Sequence, residues 1–426
     1  MNLRLFIYTL ILLWGGCISS FAHVVRSDST IMKFLSENGI SFTHNNSAVL
    51  LKSGDEKFQD MFSAIKQAKE TIHLEYFNFR NDSIGNALFD LLAEKVKQGV
   101  KVRALFDSFG NESNNRPLRK RHMVKLRKRG IEIYEYDPLR FPWINHVFHR
   151  DHRKIVVIDG LVAYTGGMNV ADYYIKGKPD IGDWRDMHLR LEGDVVCCLQ
   201  GIFLRMWNQV SGQHISGPEL YPGMREASDW FDDLKPDTTR TAGIKNIAVV
   251  NREPELSPRI IRETFVAAIN SAQHQIQLIN PYFTLNRKIR KALKHAIDRG
   301  VDVQIMVSEA SDIPITPRVV DYNAKRLMKK GAEIYYYQGG FHHSKVMMID
   351  SLYSFVGSAN LNSRSLAYDY ECNVMIVDSC TTRELQHLFN DDKELRCYRL
   401  TPEKWKQRPW GLRMQAWLFH FLEPFI

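Results

Sequence analysis

Two segments of this sequence carry the same chemically specialised residues at the same spacing. One begins at His152 and the other at His343, and every repeated residue lies 191 positions from its counterpart. The repeated pairs are His152 and His343, Lys154 and Lys345, Asp159 and Asp350, Gly166 and Gly357, and Asn169 and Asn360. One H-x-K segment alone would most simply be a satisfied histidine beside a surface lysine. Two copies in register predict a site to which each copy contributes half.

The residues that follow each histidine predict a strand. Residues 155–158 are apolar and mostly β-branched, as expected of a buried strand. Side chains two positions apart on a strand share a face, so His152 and Lys154 are expected to point the same way. Asp159 and Asp350 each lie five residues beyond a lysine. That position favours a role in supporting the fold or orienting a histidine, although we include both among the candidate catalytic residues.

The basic side chains of the repeat suit a phosphate group. Lys154 and Lys345 would act as point charges for phosphate oxygens, and Asn169 and Asn360 would add neutral donors. One histidine can be a covalent nucleophile while the other protonates the departing oxygen, since near neutrality one can be neutral and its partner charged. This chemistry is phosphodiester exchange in two displacements through a phosphohistidine. Small residues just before the asparagines are expected to support the site by letting the backbone approach a ligand; they are Gly166, Gly167, Gly357 and Ser358.

No metal-binding motif accompanies the repeat. The sequence contains no H-E-x-x-H segment, no Walker loop and no cluster of carboxylates beside the motifs. We therefore expect no catalytic metal and no cofactor. The lysines would supply the positive charge that a divalent ion supplies in other phosphoryl-transfer sites.

The order of predicted elements indicates an α/β protein with two halves. A chain of 426 residues is long enough for two domains, and strands alternate with helices in both halves. We predict two pseudo-symmetric domains, each a mostly parallel sheet flanked by helices, that share one central cleft. The first domain is predicted over 47–210, a linker over 211–245 and the second domain over 246–400. Within the first, 195–207 predict an apolar strand and helix.

Both ends of the chain indicate contact with a membrane. Residues 1–22 have a basic start and then a long apolar run, which predicts a signal peptide or an uncleaved membrane anchor. Residues 401–426 predict an amphipathic, aromatic-rich tail, suited either to a membrane interface or to docking on the domain. The net charge of +9 suits an anionic partner, whether nucleic acid or a lipid surface.

The paired motifs resemble those of the phospholipase D superfamily, whose pattern is H-x-K-x4-D-x6-G-[GS]-x-N in two copies. Within that superfamily the sequence is similar to the bacterial cardiolipin synthases, over nearly all of the chain after its amino-terminal segment. Further runs that carry the resemblance are Trp184-Arg185-Asp186, the segment 360–365, Tyr370-Glu371-Cys372-Asn373 and the ending 408–426. The resemblance implies a phospholipase D-like domain in each half and adds Glu371 to the supporting residues.

The resemblance also implies an activity, in which two phosphatidylglycerol molecules are joined into cardiolipin with release of glycerol. His152 would take the phosphatidyl group and His343 would act as acid and then as base, or the two roles would be exchanged. The implied partners are phosphatidylglycerol and an anionic membrane surface, with no nucleic acid expected. The implied location is the bacterial cell membrane, with the protein anchored or peripheral. The alternatives are hydrolysis by water, transfer to another alcohol, a nuclease, and a non-catalytic lipid-binding protein.

Overall fold

The structure is a computed structural model. It describes residues 31–113, 115–138, 147–225 and 245–425. The predicted hydrophobic segment 1–22 lies outside the described residues, as does most of the predicted linker. We call the described residues up to 225 the first half, and those from 245 onward the second half.

The first half contains these elements in chain order. Its strands are β1 (Phe42–Leu51), β2 (Thr71–Tyr76), β3 (Lys101–Asp107), β4 (Glu132–Tyr136), β5 (Lys154–Ile158), β6 (Val162–Gly166), β7 (Asp183–Arg185) and β8 (His188–Gly193). Its helices are α1 (Gly54–Gln67), α2 (Ser83–Lys97), α3 (Ser108–Glu112), α4 (Lys120–Lys128), α5 (Tyr173–Lys176), α6 (Val195–Ser211) and α7 (Pro222–Arg225).

The second half repeats much of this order. Its strands are β9 (Lys245–Arg252), β10 (Gln275–Ile279), β11 (Asp302–Ser308), β12 (Glu333–Tyr337), β13 (Gly340–His342), β14 (Val346–Ile349), β15 (Tyr353–Gly357), β16 (Glu371–Val377) and β17 (Cys397–Arg399). Its helices are α8 (Ile260–Ser271), α9 (Arg287–Asp298), α10 (Thr316–Met328), α11 (Ser363–Ala367), α12 (Ser379–Arg396), α13 (Pro402–Gln407) and α14 (Trp410–Phe419). A 3-10 segment, His420–Phe425, follows α14.

Short-range signals set the ends of several helices. The Ser53 hydroxyl and the Asp82 carboxylate each accept a backbone N–H of the first turn that follows, which caps α1 and α2. Helix α2 ends just before Gly99, whose φ of 95° is a left-handed conformation that glycine adopts readily. Residues 195–207, predicted as strand and helix, instead lie within the single helix α6. Its apolar side chains are buried nearly all round, so no helical period is visible in the sequence.

Among the described residues, fifteen strands form one continuous sheet, and β7 and β13 pair separately. The order across the sheet is β17-β12-β11-β10-β14-β15-β16-β9-β1-β8-β6-β5-β2-β3-β4. Near each edge three strands run parallel, because helices link them in crossovers: β2, β3 and β4 in the first half, and β10, β11 and β12 in the second. The strands between them are antiparallel, and the antiparallel pairing of β1 with β9 joins the two halves.

The α/β class and the two similar halves agree with the sequence prediction, but the strand directions are mixed. Parallel pairing in the large sheet is limited to the outer strands. The motif strand β5 is antiparallel to β2 and to β6, because only a tight turn separates β5 from β6. Strand β14 has the same surroundings between β10 and β15.

The motif strands are buried on both faces, and the two faces meet different cores. In β5, Ile155 and Val157 contribute to a core that contains residues of both halves, whereas Val156 and Ile158 contribute to the core of the first half. The side chains of β14 alternate in the same way between the shared core and that of the second half. Burial on both faces explains the continuous apolar runs of the motifs.

The repeated aspartates each hold a turn at the far end of a motif strand. The Asp159 carboxylate accepts the three backbone N–H groups of residues 69–71, each at 2.8 Å. The Asp350 carboxylate accepts those of residues 273–275 at 2.7 to 2.9 Å. Along an extended strand, each aspartate lies about 16 Å from the lysine of its motif. Their inclusion among the candidate catalytic residues is therefore corrected: both aspartates support the fold, as their position favoured.

The carboxyl-terminal helices dock on the second half. Trp405 of α13 and Ala416 of α14 are buried in the core of that half, and α14 packs against α10. The opposite face of α14 is exposed to solvent. Within the four described ranges, no helix is both long and apolar enough to cross a bilayer.

We predict that Asp159→Ala lowers the free energy of unfolding by about 2 kcal/mol, because three backbone N–H groups lose a charged acceptor. Urea denaturation followed by circular dichroism measures this change. The control is Asp391→Ala, at an exposed position of α12, which should change the same quantity by less than about 0.5 kcal/mol. An Asp159→Ala protein as stable as the wild type would contradict the role of these hydrogen bonds.

Candidate active site

The two histidines of the repeat open on one cavity between the halves. The cavity has a volume of about 380 Å³, and its walls include His152 and Asn169 from the first half with His343 and Asn360 from the second. Strands β5 and β14 occupy equivalent places in the sheet on either side of the β1 and β9 junction, and strands β15 and β16 of the second half pack against β6 and β8 of the first. Each half thus supplies one histidine and one asparagine.

Each histidine is hydrogen-bonded to a carboxylate that comes from the other half. Nδ1 of His152 lies 3.0 Å from Oε1 of Glu371, at the start of β16. Nδ1 of His343 lies 2.7 Å from Oδ2 of Asp186, just after β7. Because a carboxylate accepts, each imidazole carries its proton on Nδ1, which leaves Nε2 to attack or to accept a proton.

Backbone pairing between the halves sets these two contacts. Strand β7 pairs in parallel with β13, and the backbone N–H of His343 donates to the Arg185 carbonyl at 2.6 Å. On the other side, the backbone N–H of His152 donates to the Tyr370 carbonyl at 3.0 Å. The backbone of each histidine is therefore hydrogen-bonded to the residue that immediately precedes the carboxylate contacted by its imidazole.

The two lysines are buried next to the histidines of their own motifs, behind the residues that line the cavity. Nζ of Lys154 lies 2.5 Å from the carbonyl oxygen of His152, and Nζ of Lys345 lies 2.5 Å from that of His343. Nζ of Lys345 is also 2.9 Å from Nδ1 and 3.0 Å from Nε2 of His343. Burial lowers the pKa of Lys154 to about 7 and that of Lys345 to about 8, against the opposing charges of Glu371 and Asp186.

Both imidazoles are neutral near pH 7. Burial lowers the pKa of His152 to about 4, although the Glu371 carboxylate raises it in part. Burial and the charge of Lys345 hold the pKa of His343 well below its usual value. The sequence-based expectation of one neutral and one charged histidine therefore does not describe this site before an anion enters it.

The carboxylates of Glu371 and Asp186 differ in pKa. Burial alone would raise the pKa of Glu371, but His152 and Lys154 outweigh it and the pKa lies below the usual value. Burial raises the pKa of Asp186 to about 6, against the charge of Lys345. Glu371 therefore stays ionised at neutral pH more firmly than Asp186 does.

The asparagines present one end of each amide to the cavity. Nδ2 of Asn169 donates to the Tyr174 hydroxyl at 3.4 Å, and Nδ2 of Asn360 donates to the Ser365 hydroxyl at 3.4 Å. Within the described residues, Oδ1 of Asn169 and Oδ1 of Asn360 are buried without a hydrogen-bond partner. A ligand that donates a hydrogen bond, such as a lipid hydroxyl group, would satisfy these two oxygens, whose burial without a donor is otherwise unfavourable.

The small residues before the asparagines make room for the two carboxylates. A Cβ added at Gly167 would lie 2.2 Å from Oδ1 of Asp186, so only glycine fits beside that carboxylate. Its counterpart Ser358 donates its hydroxyl to Oε2 of Glu371. Side chains at Gly166 and Gly357 would meet neighbouring strands, with His188 and Cys372 among the closest residues. All four predicted supporting positions thus lie against the carboxylate-bearing segments.

Asp186 is the site residue that the sequence reasoning did not assign. It lies in the run Trp184-Arg185-Asp186, which already supported the family resemblance. Nothing in the spacing of the first motif indicates that its partner is His343, 157 residues away. Aromatic side chains around the histidines were also missed: Phe77 lies beside His152, and Trp184 and Tyr282 lie beside His343.

Comparison with known proteins identifies the family. The chain matches the family model described as "Cardiolipin synthase, PLD-like domain" over residues 61–180 and 265–393. It is 36% identical, over 81% of its length, to a protein of Bacillus subtilis named "Probable cardiolipin synthase", 65% of which it covers. It is 32% identical, over 93% of its length, to the major cardiolipin synthase of the same organism, with 79% of that protein covered. This chain belongs to the cardiolipin synthase family.

A solved structure supports the fold of this family member. The crystal structure of phosphatidylserine synthase from Haemophilus influenzae superimposes with a TM-score of 0.68 and 14% sequence identity, over 93% of this chain and 100% of the other. At that identity the likeness concerns the fold alone. The two ranges matched by the family model fall one in each half. The predicted pair of phospholipase D-like domains is therefore confirmed.

We predict that Gly167→Ala lowers turnover by this cardiolipin synthase family member about 100-fold, because the new methyl group displaces the carboxylate that holds His343. Turnover of detergent-dispersed phosphatidylglycerol, with thermal denaturation to check folding, measures the effect. Gly411→Ala is the matched control: no atom lies within 4 Å of a Cβ at this helical position. Full activity of the Gly167→Ala protein would contradict the requirement for space at this position.

We also predict that anion binding in the cavity weakens as the pH rises through about 7 to 8, where Lys154 and Lys345 lose their protons. Inorganic sulfate is a suitable probe because its charge stays constant over this range, and calorimetric titration gives its dissociation constant. In Lys154→Met the remaining decline should centre nearer pH 8, the value for Lys345. A dissociation constant that does not change with pH would contradict the assignment of these pKa values.

Proposed function

We propose that the protein is a cardiolipin synthase that transfers a phosphatidyl group from one phosphatidylglycerol molecule to the glycerol hydroxyl of another. The observation that carries this proposal is that two imidazoles, one from each half, open on one cavity, and that a buried lysine contacts each of these histidines. Membership of the cardiolipin synthase family supports the choice of lipid substrate.

In the first step, Nε2 of His152 attacks the phosphorus of phosphatidylglycerol and a P–N bond forms. The P–O bond to the glycerol headgroup breaks, and His343 donates a proton to the departing oxygen. The charges of Lys154 and Lys345 stabilise the phosphate oxygens as the transition state develops. An anionic phosphodiester next to His343 raises the pKa of its imidazole, which allows it to hold the proton that it donates.

In the second step, a glycerol hydroxyl of another phosphatidylglycerol molecule attacks the phosphohistidine. His343 accepts the hydroxyl proton, a P–O bond forms and the P–N bond breaks, which gives cardiolipin and returns both histidines to their starting state. Free glycerol is the other product, released after the first step. The proton thus moves out through His343 and returns through it, and no cofactor is consumed.

The electrostatics support His152 as the nucleophile. A phosphorylated imidazole carries positive charge while its Nδ1–H donates to a carboxylate, and Glu371 beside His152 is the carboxylate that stays ionised. Asp186, whose pKa is about 6, suits the histidine that changes charge in each step. Asn169 and Asn360 complete the proposal as phosphate-binding residues, because both line the cavity and the Nδ2 group of each has a second N–H beside the one that donates to a neighbouring hydroxyl.

We further propose that the enzyme works at the bacterial cell membrane, either anchored or peripheral, on an anionic lipid surface. The substrate is itself an anionic membrane lipid, and the net charge of +9 favours such a surface. The competing activities on the same cavity are hydrolysis by water and transfer to a different alcohol. They differ from the proposal in the products, which are phosphatidic acid or a different phospholipid in place of cardiolipin.

We predict that His152→Ala and His343→Ala each lower turnover about 1,000-fold or more, because each removes a group that makes or breaks bonds. Mass spectrometry of the lipids formed from phosphatidylglycerol in detergent measures cardiolipin and phosphatidic acid in the same sample. Rapid denaturation at alkaline pH with labelled lipid should leave the phosphatidyl label on His152, because the P–N bond of a phosphohistidine survives in base and is hydrolysed in acid.

His295→Ala, at an exposed position of α9, serves as the control and should retain full turnover. Substantial cardiolipin formation by either active-site variant would rule out the two-histidine mechanism. Phosphatidic acid as the main product of the wild type would make the protein a hydrolase.

A further inference from the structure

The carboxyl-terminal helix presents a continuous apolar surface to solvent. We call it the tail face and define it by Trp410, Met414, Trp417, Leu418 and Phe421. Their spacing of three and four residues places them on one side of α14 and of the 3-10 segment that follows. Trp410, Trp417 and Phe421 are 69%, 58% and 59% exposed. A group of large apolar side chains at such exposure marks an interaction surface.

The tail face is held in place from behind. Ala416, on the opposite side of α14, is buried in the core of the second half. Glu423 accepts a hydrogen bond from Nη1 of Arg290 at 2.8 Å and also contacts the Asn323 amide. The exposed aromatic side chains therefore belong to a helix that is packed on the second half. Their exposure follows from the fold and needs no rearrangement of the helix.

The tail face is carried by elements that pack against two helices of the cavity wall. Helix α14 packs against α10, whose first residue, Thr316, lines the cavity. The 3-10 segment packs against α11, which contributes Arg364 and Ser365 to the cavity wall. Ile313, just before α10, also lines the cavity and is exposed. We call this part of the cavity wall, with Ile313, Thr316, Arg364 and Ser365, the cavity mouth. The exposed apolar surface and the cavity mouth thus belong to the same part of the second half.

Basic side chains flank the tail face. Arg413 is part of α14 itself, and on the neighbouring helix α10 the Nζ atom of Lys325 lies 5.0 Å from the centre of the Trp405 ring. Arg326 of α10 donates to the Tyr322 hydroxyl at 3.1 Å, and the Tyr322 ring stacks on His420, the residue before Phe421. The acidic residues nearby are occupied: Glu423 pairs with Arg290, and the buried Asp321 pairs with Arg408.

We propose that the tail face is the docking surface for an anionic lipid bilayer and that it holds the cavity mouth against the membrane. Tryptophan and phenylalanine side chains suit the interface between headgroups and acyl chains, and flanking lysines and arginines are attracted to anionic headgroups. This inference deepens the proposed function, because it concerns how a membrane lipid reaches the same cavity.

Quenching of tryptophan fluorescence tests the contact directly in the full-length protein. Vesicles of phosphatidylcholine and phosphatidylglycerol with brominated acyl chains quench only those indoles that enter the bilayer. We expect the wild type to be quenched, and expect Trp410→Phe/Trp417→Phe to lose most of that quenching while it still binds the vesicles. If the double variant is quenched as strongly as the wild type, the tail face does not insert and the proposal is overturned.

Turnover provides a second test with a matched control. The triple variant Trp410→Ser/Trp417→Ser/Phe421→Ser should lower the ratio of vesicle to micelle turnover about tenfold, since micelles present lipid without a bilayer. Leu256→Ser/Leu395→Ser replaces two apolar residues that are 77% and 80% exposed elsewhere, and should leave the ratio unchanged. An unchanged ratio in the triple variant overturns the docking role.

The two tests separate the docking surface from the activity. A wild type that forms no cardiolipin in vesicles or micelles would refute the proposed function, while tail-dependent quenching would still support docking. Quenching that is equally strong on pure phosphatidylcholine vesicles would overturn the anionic part of the proposal, because the basic flank would then make no difference to binding.

Discussion

The site depends on two hydrogen bonds that cross between the halves. Glu371 of the second half holds His152 of the first, and Asp186 of the first half holds His343 of the second. Neither half can therefore orient its own histidine. Strands β7 and β13 pair across the same boundary, so backbone and side-chain contacts fix the relation between the imidazoles together. A duplicated domain alone would give two histidines, whereas the exchange of carboxylates gives one site.

The same exchange of carboxylates makes it possible to bury the two charged lysines next to the histidines. A buried lysine without a nearby carboxylate loses its proton or destabilises the fold. Lys154 and Lys345 lie within the influence of Glu371 and Asp186, and their pKa values of about 7 and 8 keep them partly or largely charged at neutral pH. The carboxylates thus orient the histidines and also retain the positive charge that a phosphate needs. Folding and chemistry rest on the same four charged groups.

The sequence was sufficient to predict the residues that recur, and insufficient for those that do not. His152 and His343 could be found because their spacing repeats, and the family pattern pointed to Glu371. Asp186 has no repeated spacing that links it to a partner, because its contact depends on the pairing of β7 with β13. The strand directions in the middle of the sheet also follow from tertiary pairing and leave no periodic signal. Helix α6 was partly predicted as a strand because burial on all sides removes the polar positions that would show its period.

The continuous sheet has a consequence for the order of events at the cavity. Strands β1 and β9 bond the halves edge to edge, so the halves cannot swing apart as the domains of a hinged enzyme do. In the proposed mechanism, donor and acceptor lipids then bind in a cavity whose two sides stay at a fixed separation. The first alcohol has to depart before the second molecule can occupy its place, which is the ping-pong sequence that a covalent intermediate requires. The rigid pairing of β1 with β9 thereby requires that the two nearly identical substrates of the proposed reaction bind one after the other.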